Sequence, residues 1–438
     1  MVNNKTVLIG AGLSGPLMAT YLTMHGYNVD IYEKRSDMRL NNISAGRSIN
    51  LALSIRGIRA LKEIGLYNEI KSLMIPMKGR MIHDLNGETN LQPYGKNNKE
   101  VIYSISRAEL NKKLITASEN TGKVQIFFEH ELTNADLTNN SLMFNNNIEK
   151  SFDQVIGCDG SSSVLRSEII DKTNAIFTKK PLGHAYKELT IPSLSNGFAI
   201  EPNALHIWPR GKFMLIALPN MDKSFTCTLF MPIKGDTSFQ TLKSHNDVTS
   251  LFKTYFPDVL KFIPNLHDEF LENPVGELAT IYLNPWHYKE KTVLIGDAAH
   301  AIVPFFGQGM NASFQDCTVL NQLIGHYGNN WNKIFSKFSK KHIVNGHAIA
   351  DMAIENYEEM RDSVNKSTYQ AQRKLEFTLE QEFPNKFIPR YSMVSFSERP
   401  YSEVYETGEK QYELLNKLLE ADPTGETIDV AIVNKFFN

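Results

Sequence analysis

The sequence predicts an α/β protein: a parallel, helix-flanked sheet, an inserted and mainly antiparallel β-sheet domain, and a C-terminal helical layer. The N-terminus reads as a βαβ unit, with apolar Val7-Leu8-Ile9, a Gly-rich turn, an apolar-periodic helix from about Leu13 to His25, and a second strand Val29-Asp30-Ile31-Tyr32. The run Lys5-Thr6-Val7-Leu8-Ile9-Gly10 recurs letter for letter as Lys291-Thr292-Val293-Leu294-Ile295-Gly296. Both copies suit short, fully buried parallel strands, alike either by chance or because both end at one ligand edge of a sheet. Between about Pro181 and Tyr282 the texture changes to strand-like runs such as Leu205-His206-Ile207-Trp208 and Phe225 to Phe230, broken by Pro and Gly. From about Phe314 onward helical spacing dominates, including His347 to Val364. The expected stretches are 1–180 and 286–325 for the parallel domain, 181–285 for the inserted sheet, and 326–438 for the helical layer.

Each element has a local reason. Val101-Ile102-Tyr103-Ser104-Ile105 leads into Ser106-Arg107-Ala108-Glu109, which has the form of a capping box and sets Arg107 in the first turn of a helix. With 42% hydrophobic and 21% charged residues in 438, the chain can bury a large core in two or three domains. A formal charge of −2 leaves no cationic excess for a phosphate backbone, so nucleic acid is not an expected partner. Cys158, Cys227 and Cys317 are far apart, with no CxxC pair and no His at ligand spacing, which supports neither a disulfide framework nor a metal site and suits a reducing compartment. Lys5 enters a strand almost at once, so no signal peptide is expected, and no run of 18 apolar residues suggests a membrane span.

The chemistry begins with Gly10-x-Gly12-Leu13-Ser14-Gly15, a Rossmann-like dinucleotide fingerprint, followed by Glu33 at the end of the next strand, where an acid would meet a ribose hydroxyl. The glycines let backbone N–H groups approach a pyrophosphate at the positive end of a helix. The second strand copy runs into Gly296-Asp297-Ala298-Ala299-His300, then Pro304-Phe305-Phe306-Gly307-Gln308-Gly309-Met310-Asn311. This resembles the long Gly-Asp motif of flavin hydroxylases: Asp297 can accept from a ribityl hydroxyl, and Gly307 to Asn311 offer backbone donors at a helix start. Cys158-Asp159-Gly160 before three serines resembles the Asp-Gly motif of the same superfamily, associated there with FAD and NAD(P)H. On its own such a run is more often just a turn and helix cap. The lack of a second GxGxxG argues against a separate nicotinamide domain, so NADPH is expected as a transient co-substrate.

Five further segments narrow the resemblance: Gly46 to Ser54, Ile75 to His83, Leu205 to Arg210, Ser224 to Pro232 and Val303 to Asn311. From the start to about residue 405 they are similar to the kynurenine 3-monooxygenase family. The resemblance implies FAD, NADPH and O2, and hydroxylation of L-kynurenine to 3-hydroxykynurenine through a flavin C4a-hydroperoxide, in tryptophan degradation toward NAD. It implies that Arg80 and Tyr94 hold the substrate carboxylate, which suits a planar guanidinium and a neutral phenol. Asn356 and Tyr401 match further substrate contacts. Asn356 lies on an i, i+4 stripe with Met352 and Met360, where an amide on an apolar face reads either as a ligand or as a core Asn bonded to backbone. Met214, Leu218, Thr228, Phe230, Pro304 and Phe305 match the ring pocket. Ser14, Glu33, Lys34, Arg35, Ala52, Arg107, Leu132, Asp297, Met310 and Asn311 match flavin contacts. No catalytic acid or base is implied, because the aniline nitrogen already activates the ring. Animal and fungal members carry a C-terminal membrane anchor, whereas this tail is mixed and charged, so a soluble, cytoplasmic, bacterial-type enzyme is expected. The alternatives are a flavin hydroxylase of another anthranilate-like acid, a non-hydroxylating flavin-binding redox sensor, and a flavin reductase that avoids oxygen.

Overall fold

The computed structural model describes residues 5–40, 50–95, 100–363 and 367–437. Gly46 to Ile49 of the first family-like segment, and Val364, lie outside them. The chain divides into two compact units, Met1–Met74 with Ile105–Leu182 and Ala279–Ala350, and Ile75–Ser104 with Gly183–Leu278 and Asp351–Asn438. The fold is α/β, and each unit has its own sheet.

In the first unit the sheet order is His287–Tyr288, Thr292–Leu294, Gln154–Gly157, Lys5–Ile9, Asn28–Tyr32, Val124–Phe127, and every neighbouring pair is parallel except the edge pair at His287. The two copies of the repeated run thus lie in one sheet, each paired with Gln154–Gly157, and both end in a glycine of positive φ, Gly10 at +102° and Gly296 at +60°. Their continuous apolar character follows from burial: Leu8, Ile156 and Val293 are all inaccessible. Helix Ser14–Met24 is buried from Gly15 to Leu22, which is why its sequence is apolar all round. Helix Arg107–Glu119 begins as its sequence suggests, with Ser106 Oγ accepting from the Glu109 amide at 3.4 Å. Only that half of the capping box forms, because the Glu109 carboxylate pairs with Lys112 at 2.9 Å instead.

The sheet of the second unit runs from Ile176–Ile191 (through its half from His184) to Phe225–Pro232, Met214–Pro219, Leu205–Pro209, Gly79–His83 and Thr89–Pro93. It is antiparallel but for the Leu205–Pro209/Gly79–His83 pair, so residues 75–104 belong with the sheet entered from Gly183 rather than with the segments that flank them in sequence. Register sorts the side chains into two faces. Leu189, Trp208, Leu215, Ala217, Cys227, Leu229 and Met231 share one, packed by Phe252, Phe256, Val259 and Phe270 from helices His245–Tyr255, Pro257–Leu260 and Leu266–Glu272. Because Met214 pairs with Phe230, Ile216 with both Thr228 and Ile207, and Ile207 with Ile82, the other face carries Met214, Leu218, Thr228, Phe230 and Arg80. A second core lies among the C-terminal helices Ser367–Glu382, Tyr401–Ala421 and Val430–Phe437, built on Leu375, Leu379, Leu414, Leu418 and Val433. Among the described residues no helix is long and apolar enough to cross a membrane, and no group of three or more His, Cys, Asp or Glu side chains could hold a metal.

Candidate active site

The nucleotide fingerprint sits at the C-terminal ends of the parallel strands. A Cβ on Gly15 would stand 2.0 Å from the Gly10 carbonyl oxygen, and one on Gly10 would stand 2.4 Å from that of Cys158, so strand, loop and helix meet with no room for side chains. Gly12, by contrast, faces open space: a Cβ there would meet nothing within 4 Å. This is the cradle a pyrophosphate requires, closed behind by Gly10 and Gly15 and open at Gly12. Glu33 is buried and accepts from the Ala11 amide at 2.7 Å and from Arg35 Nε at 2.7 Å. Burial opposes its ionisation, but these hydrogen bonds prevail and hold the carboxyl below its usual range. Leu13 and Leu132 are buried and Ser14 and Ala52 partly so, whereas Lys34 and Arg107 are exposed. Asp159 uses one oxygen to accept from the Val164 amide at 2.9 Å, and its other oxygen, Oδ1, is buried with no partner. Burial pushes its pKa up. An orphaned buried acceptor beside the open glycines fits a hydroxyl-bearing cofactor.

The long Gly-Asp motif folds as two turns joined to one helix. Gly296 caps the short helix Asp297–His300, which leaves the Asp297 carboxylate exposed, and the 3-10 turn Pro304–Phe306 ends at Gly307 in the left-handed region. Helix Gly309–Tyr327 then begins, with Met310 buried and Asn311 fully so. Asn311 accepts from the Ser54 amide at 2.9 Å and donates to the carbonyls of Ala52 at 2.8 Å and Gly307 at 2.9 Å. It therefore ties strand Asn50–Leu53 to the Gly307 turn. Pro304 is exposed and Phe305 buried within the turn. These groups suit FAD: an open pyrophosphate cradle, an orphaned acceptor, an exposed carboxylate at Asp297 and a helix start.

The second unit holds a different chemistry. Arg80 lies buried on strand Gly79–His83, reaching Asn356 Oδ1 and Glu359 Oε1, each at 3.3 Å. Its guanidinium lies over the Tyr391 ring, 4.9 Å from the centroid, and Tyr94 stacks on Tyr391, also at 4.9 Å, with planes 10° apart. Burial works against the charge on Arg80, yet the facing Tyr369 and Glu359 more than offset it, so the cation is secure. Burial likewise raises Tyr94, which stays a neutral phenol, and its Oη is buried without a hydrogen-bond partner. Asn356 accepts from Arg80 and donates to Met360 Sδ at 3.2 Å. Glu359 also accepts from the Tyr369 hydroxyl at 2.9 Å and opens the π-helical turn Glu359–Ser363, an irregularity that often marks a functional site. Tyr401 is buried at the start of its helix.

Sequence reasoning did not single out Glu359, Tyr369 or Tyr391. Glu359 was within reach, since it lies three residues beyond Asn356 on one helical face. Tyr391 has no such signal, because only folding brings helix Arg390–Phe396 to Tyr94 and Arg80. Asp316, which binds His300, and His342, which binds Asp316, were also missed.

Residues 3–333 match the FAD binding domain family. Over nearly its whole length the chain is similar to proteins named kynurenine 3-monooxygenase. It is 45% identical to that of Myxococcus xanthus, covering 98% of this chain and 93% of the relative. It is 40% identical to that of Dictyostelium discoideum (99% and 98%) and 42% identical to that of Sus scrofa (94% and 88%). Among solved structures it shares its fold with the tetrameric form of 2-methyl-3-hydroxypyridine-5-carboxylic acid oxygenase, with a TM-score of 0.68 at 18% identity, covering 84% of this chain and 95% of the other. Tetracycline destructase Tet(55) is similar at a TM-score of 0.66 and 14% identity, covering 91% and 98%. By its FAD-binding fold and its full-length likeness to these relatives, the chain belongs to the kynurenine 3-monooxygenase family of FAD-dependent oxidoreductases.

Proposed function

We propose that the protein hydroxylates L-kynurenine at the ring carbon beside the aniline nitrogen, giving 3-hydroxykynurenine, at the expense of NADPH and O2. The observation that carries this is the buried Arg80 with Asn356, Glu359 and the unpartnered Tyr94 hydroxyl beside it. One cation, one neutral donor, one amide and one carboxylate form a set that matches a zwitterionic amino acid. FAD, when bound, supplies transfer of electrons from NADPH and activation of O2.

The chain's own residues bind and orient. Arg80 takes the substrate carboxylate, giving up its long contact to Glu359 while keeping that to Asn356, and the Tyr94 hydroxyl donates to the same group. Asn356 fixes the guanidinium plane, and Glu359 receives the α-ammonium. Met214, Leu218, Thr228 and Phe230, on the same sheet face as Arg80, give the aromatic ring a mostly apolar wall. Such a wall keeps water from the reacting oxygen. Tyr401 completes the substrate set. The cytoplasm is the compartment we assign, on three free cysteines.

The test is anaerobic reduction of the purified flavoprotein by NADPH, with and without L-kynurenine, followed by air and mass analysis of the product. Acceleration by kynurenine and a gain of one oxygen support the proposal. Bleaching that ignores kynurenine, with only H2O2 formed in air, overturns it and points to another aromatic acid. For Glu359, the Glu359→Gln variant should weaken kynurenine binding while leaving an analogue without the α-amino group unaffected. Equal losses for both compounds would contradict its role.

A further inference from the structure

The residue that holds the Gly296-Asp297 turn in place lies on a different element. Asp316, in helix Gly309–Tyr327, is buried beneath that turn and accepts three hydrogen bonds. The Gly296 amide donates to Oδ2 at 2.8 Å, His300 Nε2 meets the same oxygen at 2.6 Å, and His342 Nδ1 meets Oδ1 at 3.2 Å. Both imidazoles are buried and braced by aromatic rings, His300 against Trp286 at 4.9 Å and His342 against Phe338 at 5.0 Å. Gly296 itself cannot be replaced cheaply: its φ is +60°, and a Cβ there would meet Ser313 Oγ at 2.8 Å and Ser14 Oγ at 3.1 Å. On its far side the short helix is gripped by Arg166, which donates to the Ala298 carbonyl at 3.0 Å and to that of Ser161 at 2.6 Å. The turn is therefore held at its first amide and at its last side chain by a single carboxylate, while Asp297 between them is left exposed.

We propose that Asp316, with His300, is a positioning pair for the cofactor: it sets the Gly296 turn so that Asp297 and the adjoining backbone meet FAD, and it does so by hydrogen-bond geometry rather than by charge. This rests on the FAD reading of the site. The geometry discriminates between charge and position. An Asn side chain can place its oxygen where Oδ2 stands, accepting from Gly296 and His300, and its amide where Oδ1 stands, donating to the other tautomer of His342. An Ala side chain keeps none of these bonds.

The measurement is the FAD dissociation constant of the full-length protein, read from flavin fluorescence released on dilution, beside the melting temperature of the flavin-free protein. Asp316→Ala should raise the constant by about tenfold or more, the loss expected for two buried hydrogen bonds to a carboxylate, while Asp316→Asn should stay within about threefold of the parent. An unchanged constant in Asp316→Ala, with only the melting temperature lowered, would show a purely structural residue and overturn the proposal. So would an Asn variant as weak as the Ala variant, since charge would then be the agent. Should Asp316→Ala not fold, His300→Phe carries the test: it keeps the stack on Trp286 and removes one bond. A several-fold weaker constant supports the pair and an unchanged one overturns it. A parent protein that holds no flavin would instead refute the FAD reading itself.

Discussion

Replacing Arg80 by Ala tests the substrate assignment most directly. The side chain is buried, so solvent screens its charge little, and it presents a planar fork that already spans Asn356 and Glu359 at 3.3 Å each. A carboxylate bound there loses a charge-assisted, bidentate partner and keeps only Tyr94. Removing one member of a buried charged pair costs roughly 3–5 kcal/mol, which is about two to four powers of ten in kcat/KM. The loss should appear mainly in KM for kynurenine, because the contact is made in the ground state as well as the transition state. Stability should suffer less: the partner left behind, Glu359, keeps 32% of its side chain exposed and can turn to water. Flavin content should not change, since the residues matched to FAD lie in the other unit. Arg80→Lys should recover part of the loss, supplying charge without the fork. Steady-state kinetics with a flavin absorbance spectrum of each variant decides the matter. A kcat/KM within threefold of the parent, or loss of flavin in Arg80→Ala, would refute the reasoning.

Three other outcomes are expected. Tyr94→Phe should leave thermal stability unchanged or slightly higher, because it deletes a buried hydroxyl with no partner, yet raise KM about two- to tenfold by removing a neutral donor worth roughly 0.5–1.5 kcal/mol; a fall in stability without a change in KM would contradict this. Gly15→Ala should yield protein largely free of FAD, since its Cβ would stand 2.0 Å from the Gly10 carbonyl oxygen; flavin absorbance per mole of protein is the readout, and normal occupancy would speak against the tight loop. The last concerns pH. Burial pushes His206 down to about 4 from an ordinary 6.5, so the fold resists a proton that the unfolded chain accepts. Stability is then fully present above about 6.5 and falls as pH drops toward 4, by at most ~1.4 kcal/mol per pH unit. Denaturant melts across that range should show the slope in the parent and a shallower one in His206→Gln; equal slopes would assign the effect to other groups.

The local chemistry of the cofactor site was legible in the sequence because it is short-range. A strand, a glycine turn and a helix start follow one another around Gly10 to Gly15, where spacing announces them, and again around Gly296 to Asn311, where the resemblance to flavin hydroxylases does. The repeated hexapeptide announced two buried strands but left chance and a shared ligand edge open, and the pairing of both copies with Gln154–Gly157 places them in one sheet. What the sequence could not announce is everything that depends on pairing between distant segments. Arg80 shares a sheet face with Met214, Leu218, Thr228 and Phe230 only through strand register, and a slip of one residue would have turned each of them into the opposite core. Glu359 reaches Arg80 from 279 positions away, and Tyr391 is set between Arg80 and Tyr94 by the packing of a seven-residue helix. Asp316 looks like any polar residue in a helix until the fold buries it under Gly296. Backbone turns are written locally, in glycines that a narrow φ range demands. The side-chain set around Arg80 is assembled from stretches far apart in the chain, and only tertiary structure decides which of their residues meet.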